Sequence, residues 1–279
     1  MDNNYTTTDR HDATPDRQDT AERFPVGQFR PDPRRSSAKT MLLAQAKIES
    51  LLFLRHGEQQ LISLIIPIGL LVGFSLLPFV PLDHPVYRVF PMALAVAIMG
   101  AGFTGQAIAV AFDRKYGALK RIGASGVPTW ALIGGKIVAV GAVVVVQLTV
   151  LTVVALLLGW RPEGAGVFSA IIFVVLGVAA FTSLGLALGG TLSSEMTLAI
   201  GNTIWFVFLG AAAFATISPN ASEGTRALLH LFPSVALTEG LRGAAGGSFN
   251  ALAAVVLAVW AVLGSVLVVR FFSFTTRDD

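Results

Sequence analysis

Long apolar runs with almost no charge constrain this chain more than any other feature of its sequence. The longest covers residues 130–158, in which Lys136 is the only ionisable side chain. A helix rises about 1.5 Å per residue, so roughly 20 apolar residues cross the 30 Å hydrocarbon core of a bilayer. Hydrophobic residues make up 54% of the chain and charged residues 13%, unlike the usage of soluble domains. We therefore predict an all-α integral membrane protein.

Six runs meet this length and are predicted to be transmembrane helices. They cover residues 61–80, 90–112, 130–158, 167–192, 197–217 and 252–269. An even number of spans places both termini on the same side of the membrane. Of the 20 lysines and arginines, an inside N-terminus would leave only Arg88, Arg161, Arg226 and Arg242 outside and the other 16 inside. The positive-inside rule thus predicts that both termini are cytosolic.

Two hydrophilic or amphipathic segments precede the first span. Residues 1–40 are rich in Asp, Thr, Arg and Pro and lack an apolar core, which predicts a disordered cytosolic tail without a secretory signal. Residues 41–55 mix leucines with polar side chains, including Lys47, Glu49 and Arg55. We interpret them as an amphipathic helix lying at the membrane surface. The alternative is a plain membrane-proximal start to the first span.

The segment 218–248, between the fifth and sixth spans, is the one substantial outer segment. It contains two apolar stretches that are too short to cross the membrane, and Pro233 separates them. We predict two short outer helices that either dip partway into the bilayer as a re-entrant segment or pack on its surface. Glu239 and Arg242 stand at i,i+3 spacing and are interpreted as a surface ion pair. Residues 273–279 form a short cytosolic C-terminal tail.

A basic island, residues 113–128, lies between the second and third spans. Its cations are Arg114, Lys115, Lys120 and Arg121. Tyr116, Leu119 and Ile122 have the spacing of an apolar stripe on one short helix, which favours a helix offered to a soluble partner. The alternative is that these cations only set topology on a solvated loop.

Motifs for chemistry are missing from the sequence. There is no GxxxxGK[ST] phosphate loop, HExxH or GxSxG, so we predict no catalytic residue, no metal ligand and no cofactor bound by this chain. The chain has no cysteine, and its four histidines lie outside the spans without a ligand pattern. The cations are not grouped with aromatic platforms, so nucleic acid is not an expected partner.

The predicted spans contain neutral polar side chains where an ion-coupled carrier would need ionisable ones. Candidate pathway residues are Gln106, Gln147, Asn202 and Thr203. Small residues recur at four-residue spacing in two spans, at Gly69 and Gly73 and at Gly185 and Gly189. Such pairs let helices approach closely, so we predict packing within the chain, with a dimer face as the alternative.

The basic island is the most specific part of a family resemblance. It reads Asp113-Arg114, Gly117-Ala118-Leu119, Lys120-Arg121 and Val127-Pro128, followed by Gly135-Lys136 in the third span. With six spans, an N-terminal amphipathic helix and paired outer helices, the chain resembles the membrane subunit of a type-2 ATP-binding-cassette (ABC) exporter, of the daunorubicin-type drug-resistance permease kind. The resemblance covers residues 41–272; the tail before residue 41 is longer than such permeases need.

The resemblance implies a transporter subunit without enzymatic activity of its own. A separate ABC ATPase would bind Mg-ATP and dock on the island, where Arg114, Lys115, Tyr116, Gly117, Leu119, Lys120 and Arg121 would couple the two chains. Two permease chains, identical or different, would form the pathway for an amphipathic or hydrophobic substrate, such as a drug, a lipid or a lipid-linked metabolite. Abundant Gly, Ala and Val favour a bacterial source, and we expect the protein in the cell membrane. A non-transporting scaffold and an ion-gradient carrier remain the alternatives.

Overall fold

The computed structural model describes residues 36–55, 57–76, 84–124, 128–162, 166–218 and 221–272. All regular structure in these residues is helical, as the long apolar runs predicted. One compact unit begins at Ala38, and the other, Met1–Ser37, lies almost wholly outside the described residues. The predicted disordered tail is therefore described only at residues 36–40. Its last three residues, 38–40, belong to a helix, so the predicted boundary at residue 40 is slightly late.

Eleven α-helices and one π-helical segment make up the described residues. In chain order they are α1 (Ala38–Arg55), α2 (Gly57–Leu76), α3 (Pro85–Met99), the π-helical segment (Gly100–Thr104), α4 (Gly105–Lys115), α5 (Ala118–Ala124), α6 (Thr129–Leu157), α7 (Val167–Thr191), α8 (Ser194–Ile217), α9 (Glu223–His230), α10 (Pro233–Ala245) and α11 (Ala251–Phe271). The π-helical segment joins α3 to α4 without a break. The Thr104 hydroxyl there donates to the Gly100 carbonyl at 3.0 Å.

Five helical segments in the described part of the chain are long and apolar enough to cross a membrane. They are Pro85–Lys115, Trp130–Leu157, Val167–Thr191, Ser194–Ile217 and Ala251–Phe271. By length and composition they match the predicted second to sixth spans. The predicted first span, residues 61–80, is shorter as described. Its apolar helix covers Ser63–Leu76, and residues 77–80 lie outside the described residues.

Helix α7 is the centre of the bundle and packs against α4, α6, α10 and α11. Its small residues make these contacts possible. A Cβ atom added at Gly185 would collide with the backbone carbonyl of Phe103, and one at Gly189 with that of Ala107. Gly177 likewise lies against the Leu237 side chain of α10. The predicted close packing within the chain is thus confirmed for the glycine pair of α7.

The other glycine pair has no close neighbour among the described residues. A Cβ atom added at Gly69 or Gly73 of α2 would meet no described atom within 4 Å. The prediction of intramolecular packing is therefore wrong for α2, because the tertiary structure brings no described helix against this face.

Helix α1 confirms the predicted helix before the first span, but its surroundings differ from those of a free amphipathic helix. Ala46 is buried against α6, where added Cβ atoms at Gly134 and Gly135 would strike Leu42 and Gln45. Exposed Leu43 lies on the same side of the helix as exposed Lys47. Contact with α6, rather than a clean apolar stripe, therefore fixes α1 in place.

Two helices, α9 and α10, lie between α8 and α11, as the outer segment predicted. They differ sharply in burial. Most of α10 is buried, including Val235, Leu237 and Leu241, whereas α9 has no buried residue. Because α10 contacts α3, α7, α8 and α11, it is part of the bundle core rather than a surface loop.

Candidate functional site

The basic island forms a bend at one end of the bundle. Helix α4 ends at Lys115, Tyr116 and Gly117 turn the chain, and α5 follows. Gly117 has φ +71°, a left-handed conformation that glycine adopts at low cost. Residues 125–127 of the predicted coupling loop, 113–128, lie outside the described residues. We call residues 113–124 the basic segment.

Leu119 anchors α5 to the bundle. It is fully buried in a small apolar cluster with Val110 of α4, Leu132 of α6 and Leu186 of α7, and Ile122 packs against the same cluster. Tyr116 precedes α5 and is 73% exposed. The predicted stripe of Tyr116, Leu119 and Ile122 facing a partner is therefore wrong, because its two aliphatic members pack into the chain itself.

Three side chains of the basic segment remain available to a partner. Tyr116, Lys120 and Arg121 are exposed, and we call them the basic surface. The Tyr116 ring stacks on Phe112 with 6.0 Å between the ring centroids. The basic surface thus combines an aromatic ring in the turn before α5 with two cations on α5, which Leu119 anchors to the bundle.

Arg114 points into the bundle instead of toward a partner. Its side chain is buried, and Nη1 donates to the carbonyl oxygens of Gly189 at 3.0 Å and Leu192 at 2.9 Å. Gly189 lies in the last turn of α7 and Leu192 is the residue that caps it, at the end where a helix leaves acceptors unsatisfied and carries partial negative charge. A guanidinium there satisfies both and ties the basic segment to the end of α7.

Two ion pairs add further connections. Lys115 Nζ lies 2.5 Å from Glu195 Oε1 in the first turn of α8. Lys136 of α6, 2% exposed, lies 3.4 Å from Asp113 Oδ2. The short turn between α7 and α8 is set by Ser193, whose hydroxyl accepts from the Met196 amide. The basic segment is thus bonded to α6, α7 and α8.

Sequence reasoning missed these internal roles. Arg114 and Lys115 look like loop cations in the sequence, whereas their partners lie 75 to 80 residues away. The available signal was Glu195, an acidic side chain between the predicted fourth and fifth spans, on the same predicted side of the membrane as the basic island. The carbonyl acceptors on α7 leave no trace in a side-chain pattern.

Helix α1 packs against α6 close to the basic segment. It contacts the first turns of α6, where Gly134 and Gly135 precede Lys136. Lys47 is exposed on α1. Glu49 and Arg55 also belong to α1, and their side chains lie outside the described set.

The four pathway candidates do not meet at one place. Gln106 and Gln147 are buried, and Gln147 Nε2 donates to the Ser63 hydroxyl of α2 at 3.0 Å. Asn202 and Thr203 instead lie on the exposed face of α8, where the Thr203 hydroxyl donates to the Ala199 carbonyl at 2.8 Å. Within the described chain the first pair packs helices together, and the second pair faces outward.

A polar cavity of about 240 Å³ lies at the other end of the bundle, among residues of α8, α9 and α10. Helix α7 fixes this arrangement, since Gly166 at its start touches Ala244 of α10 and its last turn binds Arg114. Its 25 residues separate the two ends by about 37 Å. We call this second end the cavity end.

Glu239 and Arg242 line the cavity as a partly buried pair. Arg242 Nη1 lies 2.9 Å from Glu239 Oε1, and the two side chains are 27% and 22% exposed. The predicted surface pair exists, but it is more enclosed than a surface pair. Burial lowers the pKa of the Arg242 guanidinium and the Glu239 carboxylate opposes that shift, while the positive charge of Arg88 adds to it. The Arg242 side chain stays charged all the same, because an arginine guanidinium in a protein keeps its proton.

Comparison with known proteins places this architecture in a family. A family model described as ABC-2 type transporter matches residues 41–246, from the first turn of α1 to the end of α10. No curated protein and no solved structure gives a significant match. Membrane domains of this family generally work in a bilayer with an ABC ATPase and are not themselves catalytic. The chain therefore belongs to the ABC-2 type transporter family and is a multi-pass permease subunit of an ABC transporter.

Proposed function

We propose that this chain is the permease subunit of an ATP-driven exporter for an amphipathic or hydrophobic substrate. A separate ABC ATPase would bind and hydrolyse Mg-ATP on the cytosolic side, where both termini lie. The membrane would be the cell membrane of a bacterium. A drug-resistance role would be one form of this function, alongside export of a lipid or a lipid-linked metabolite.

The structure of the basic segment carries the proposal. Lys120 and Arg121 are exposed while the neighbouring Leu119 is fully buried beneath them. A force applied to the exposed side of α5 would reach the apolar cluster between α4, α6 and α7 directly. A rigid helix fixed on one side and free on the other suits the transfer of motion from a docked ATPase.

The polar contacts of Arg114 and Lys115 extend this path. Arg114 holds the last turn of α7 and Lys115 holds the first turn of α8, so displacement of the basic segment would move both helices. Arg114 and Leu119 thus act within the chain as positioning residues. Tyr116, Lys120 and Arg121 are left as the direct ATPase contacts, Gly117 supplies the turn, and α1 braces α6.

A second permease chain would complete the transport pathway. Asn202 and Thr203 are polar and exposed on α8, a helix long enough to span the membrane. Polar groups that face lipid are costly, so a spanning helix more often turns them toward protein or a water-filled path. The exposed face of α8 is therefore the proposed pathway side, in a homodimer or a heterodimer.

The test isolates the chain with its partners from its native membranes. We expect an affinity pull-down in mild detergent to recover a soluble subunit with a phosphate-binding loop in stoichiometric amount. The double variant Lys120→Glu, Arg121→Glu should lose that subunit and transport-coupled ATPase activity. Arg270→Glu is the matched control, because Arg270 is exposed near the same end on α11 and lies outside the basic segment.

Each outcome has a defined meaning. Equal recovery of the ATPase by wild type and the double variant would refute the docking role of the basic surface. Failure to recover any ATPase, even after crosslinking, would favour a non-transporting scaffold. Transport that survives ATP depletion and stops with an uncoupler would favour an ion-driven carrier. Both variants should insert normally, since they alter only exposed side chains.

A further inference from the structure

Two of the four arginines that the sequence predicts to lie outside are found at the polar cavity of the cavity end. Arg226 and Arg242 line it, and Arg88 is close enough to Arg242 to act on its charge. His230 and Glu239 are the other titratable groups in the lining. Glu239 is paired with Arg242, whereas the Arg226 side chain is exposed and makes no hydrogen bond or ion pair with the described residues. The cavity lining thus contains more arginine side chains than carboxylates.

The chemistry of this lining fits a phosphate group. Guanidinium groups present planar sets of donors that match phosphate oxygens, and enclosure strengthens such charge-assisted hydrogen bonds. Arg226 on α9 and Arg242 on α10 approach the cavity from different helices, so one oxyanion could contact both. The volume of about 240 Å³ lies below the range of drug-sized pockets, about 300–1,000 Å³, and suits a headgroup rather than a whole amphipath.

An apolar groove continues from the cavity along α9 and α11. It shares Arg226 and His230 with the cavity. Its apolar lining consists of Ala227, Leu231, Leu252 and Val256, and Glu223 adds one carboxylate. The Trp260 indole N–H donates to the Leu231 carbonyl at 2.8 Å and so fixes the end of α9 against α11. A cationic cavity that opens into an apolar groove has the polarity of a lipid, with a charged head and a hydrocarbon chain.

We propose that α9, α10 and α11 form a binding site for a phosphate-bearing amphipath. The phosphate binds Arg226 and Arg242 in the cavity, and the acyl chain lies in the groove over Leu231 and Leu252. Taken as a statement about exported cargo, this rests on the proposed function. Taken as a binding site it does not, because it involves neither the basic segment nor an ATPase.

The test measures binding alone, by native mass spectrometry of the purified full-length chain in a non-ionic detergent. Three soluble probes separate the chemistry: dihexanoyl phosphatidic acid carries phosphate and chains, dihexanoyl glycerol carries chains only, and inorganic phosphate carries phosphate only. We expect phosphatidic acid to bind at least about tenfold more tightly than either other probe, because each supplies only half of the contacts.

Variants locate the site. Arg226→Gln and Arg242→Gln should each weaken phosphatidic acid binding at least about tenfold, and Leu252→Gln should weaken it through the groove. Arg161→Gln is the matched control: Arg161 is an exposed arginine close in sequence to α7's start at the same end, outside the cavity lining. Because Arg226 is exposed and unpaired among the described residues, its substitution keeps the test valid even if Arg242→Gln misfolds.

Three outcomes would overturn the proposal. If Arg226→Gln binds phosphatidic acid with wild-type affinity, Arg226 does not contact the phosphate. Equal binding of inorganic phosphate and phosphatidic acid would reduce the site to a free oxyanion site without a role for the groove. Equal binding of dihexanoyl glycerol would show an apolar groove alone. Loss of ATPase coupling in the basic-surface variants, with phosphatidic acid binding unchanged, would show that the two proposals stand or fall separately.

Discussion

Helices α2 and α7 carry glycine pairs with the same four-residue spacing but in opposite surroundings. Gly185 and Gly189 of α7 lie directly against the carbonyls of Phe103 and Ala107, whereas no described atom approaches the Cβ positions of Gly69 and Gly73 on α2. The spacing creates a smooth face on either helix. Whether another helix covers that face is decided by the path of the whole chain. A small-residue motif therefore marks a possible contact and does not identify the partner.

At the contact between α4 and α7, the buried cation Arg114 also links the basic segment to α7. Arg114 binds the Gly189 carbonyl, on the same residue whose missing side chain admits Ala107. The close approach of the α4 and α7 backbones and the hydrogen bond from the Arg114 guanidinium thus occur at the same residue, Gly189. The glycine face of α7 is therefore connected to the basic segment, whereas no described atom lies within 4 Å of the Cβ positions at Gly69 and Gly73 of α2.

The largest expected effect comes from adding a side chain at Gly189, on the face of α7 that packs against α4. Gly189→Val would push two methyl groups into the α4 backbone, which cannot move aside like a flexible side chain, and should destabilise the fold by about 3 kcal/mol or more. We expect little monodisperse protein on size exclusion and a large fall in melting temperature. Gly73→Val is the control with the same chemistry. Equal losses in the two variants would contradict the difference between the helices.

Removing the guanidinium should have the next largest effect. Arg114→Met keeps much of the side-chain volume but leaves the carbonyls of Gly189 and Leu192 without this donor, a loss of about 1–3 kcal/mol. The melting temperature should fall clearly, and ATPase coupling should weaken even with the basic surface intact. Arg270→Met removes an exposed cation near the same end and should change neither. A stable, fully coupled Arg114→Met protein would refute the proposed link.

A smaller change in stability, of opposite sign, is expected at Gly73 on α2. Gly73→Ala adds a methyl group where there is room and removes the flexibility of glycine inside a helix, which should stabilise α2 by about 0.5–1 kcal/mol. The matched change Gly189→Ala should destabilise. Melting temperatures give the signs, and light scattering gives the molar mass of each complex. A fall in molar mass with Gly73→Ala would show that a second chain covers this face.

The smallest effect is expected from the exposed ion pair. Lys115 and Glu195 are 45% and 69% exposed, so solvent screens their attraction. Lys115→Glu should lower the melting temperature only slightly, and the exchanged pair Lys115→Glu, Glu195→Lys should restore it. A double-mutant cycle measures this coupling separately from changes at single sites. No recovery in the exchanged pair would show that the contact contributes nothing.

The sequence by itself determined the class of the protein. Uncharged runs of about 20 residues or more have few stable solutions besides spanning helices, and five of the six predicted spans have long apolar helices in the described chain. The helix before the first span and the two helices between α8 and α11 were also predictable, because local polarity and Pro233 mark their limits. The resemblance to a type-2 ABC membrane subunit, of which the basic island is the most specific part, is confirmed at the level of the ABC-2 type transporter family.

Only the tertiary structure decided what individual residues do. Arg114 and Lys120 are both loop cations in the sequence, yet one is buried against α7 and the other is exposed. The amphipathic stripe of Tyr116, Leu119 and Ile122 gave no indication that Leu119 would face the chain's own core. Periodicity reports which residues share a helix face. It cannot report what covers that face, because covering depends on contacts between segments that are far apart in the chain.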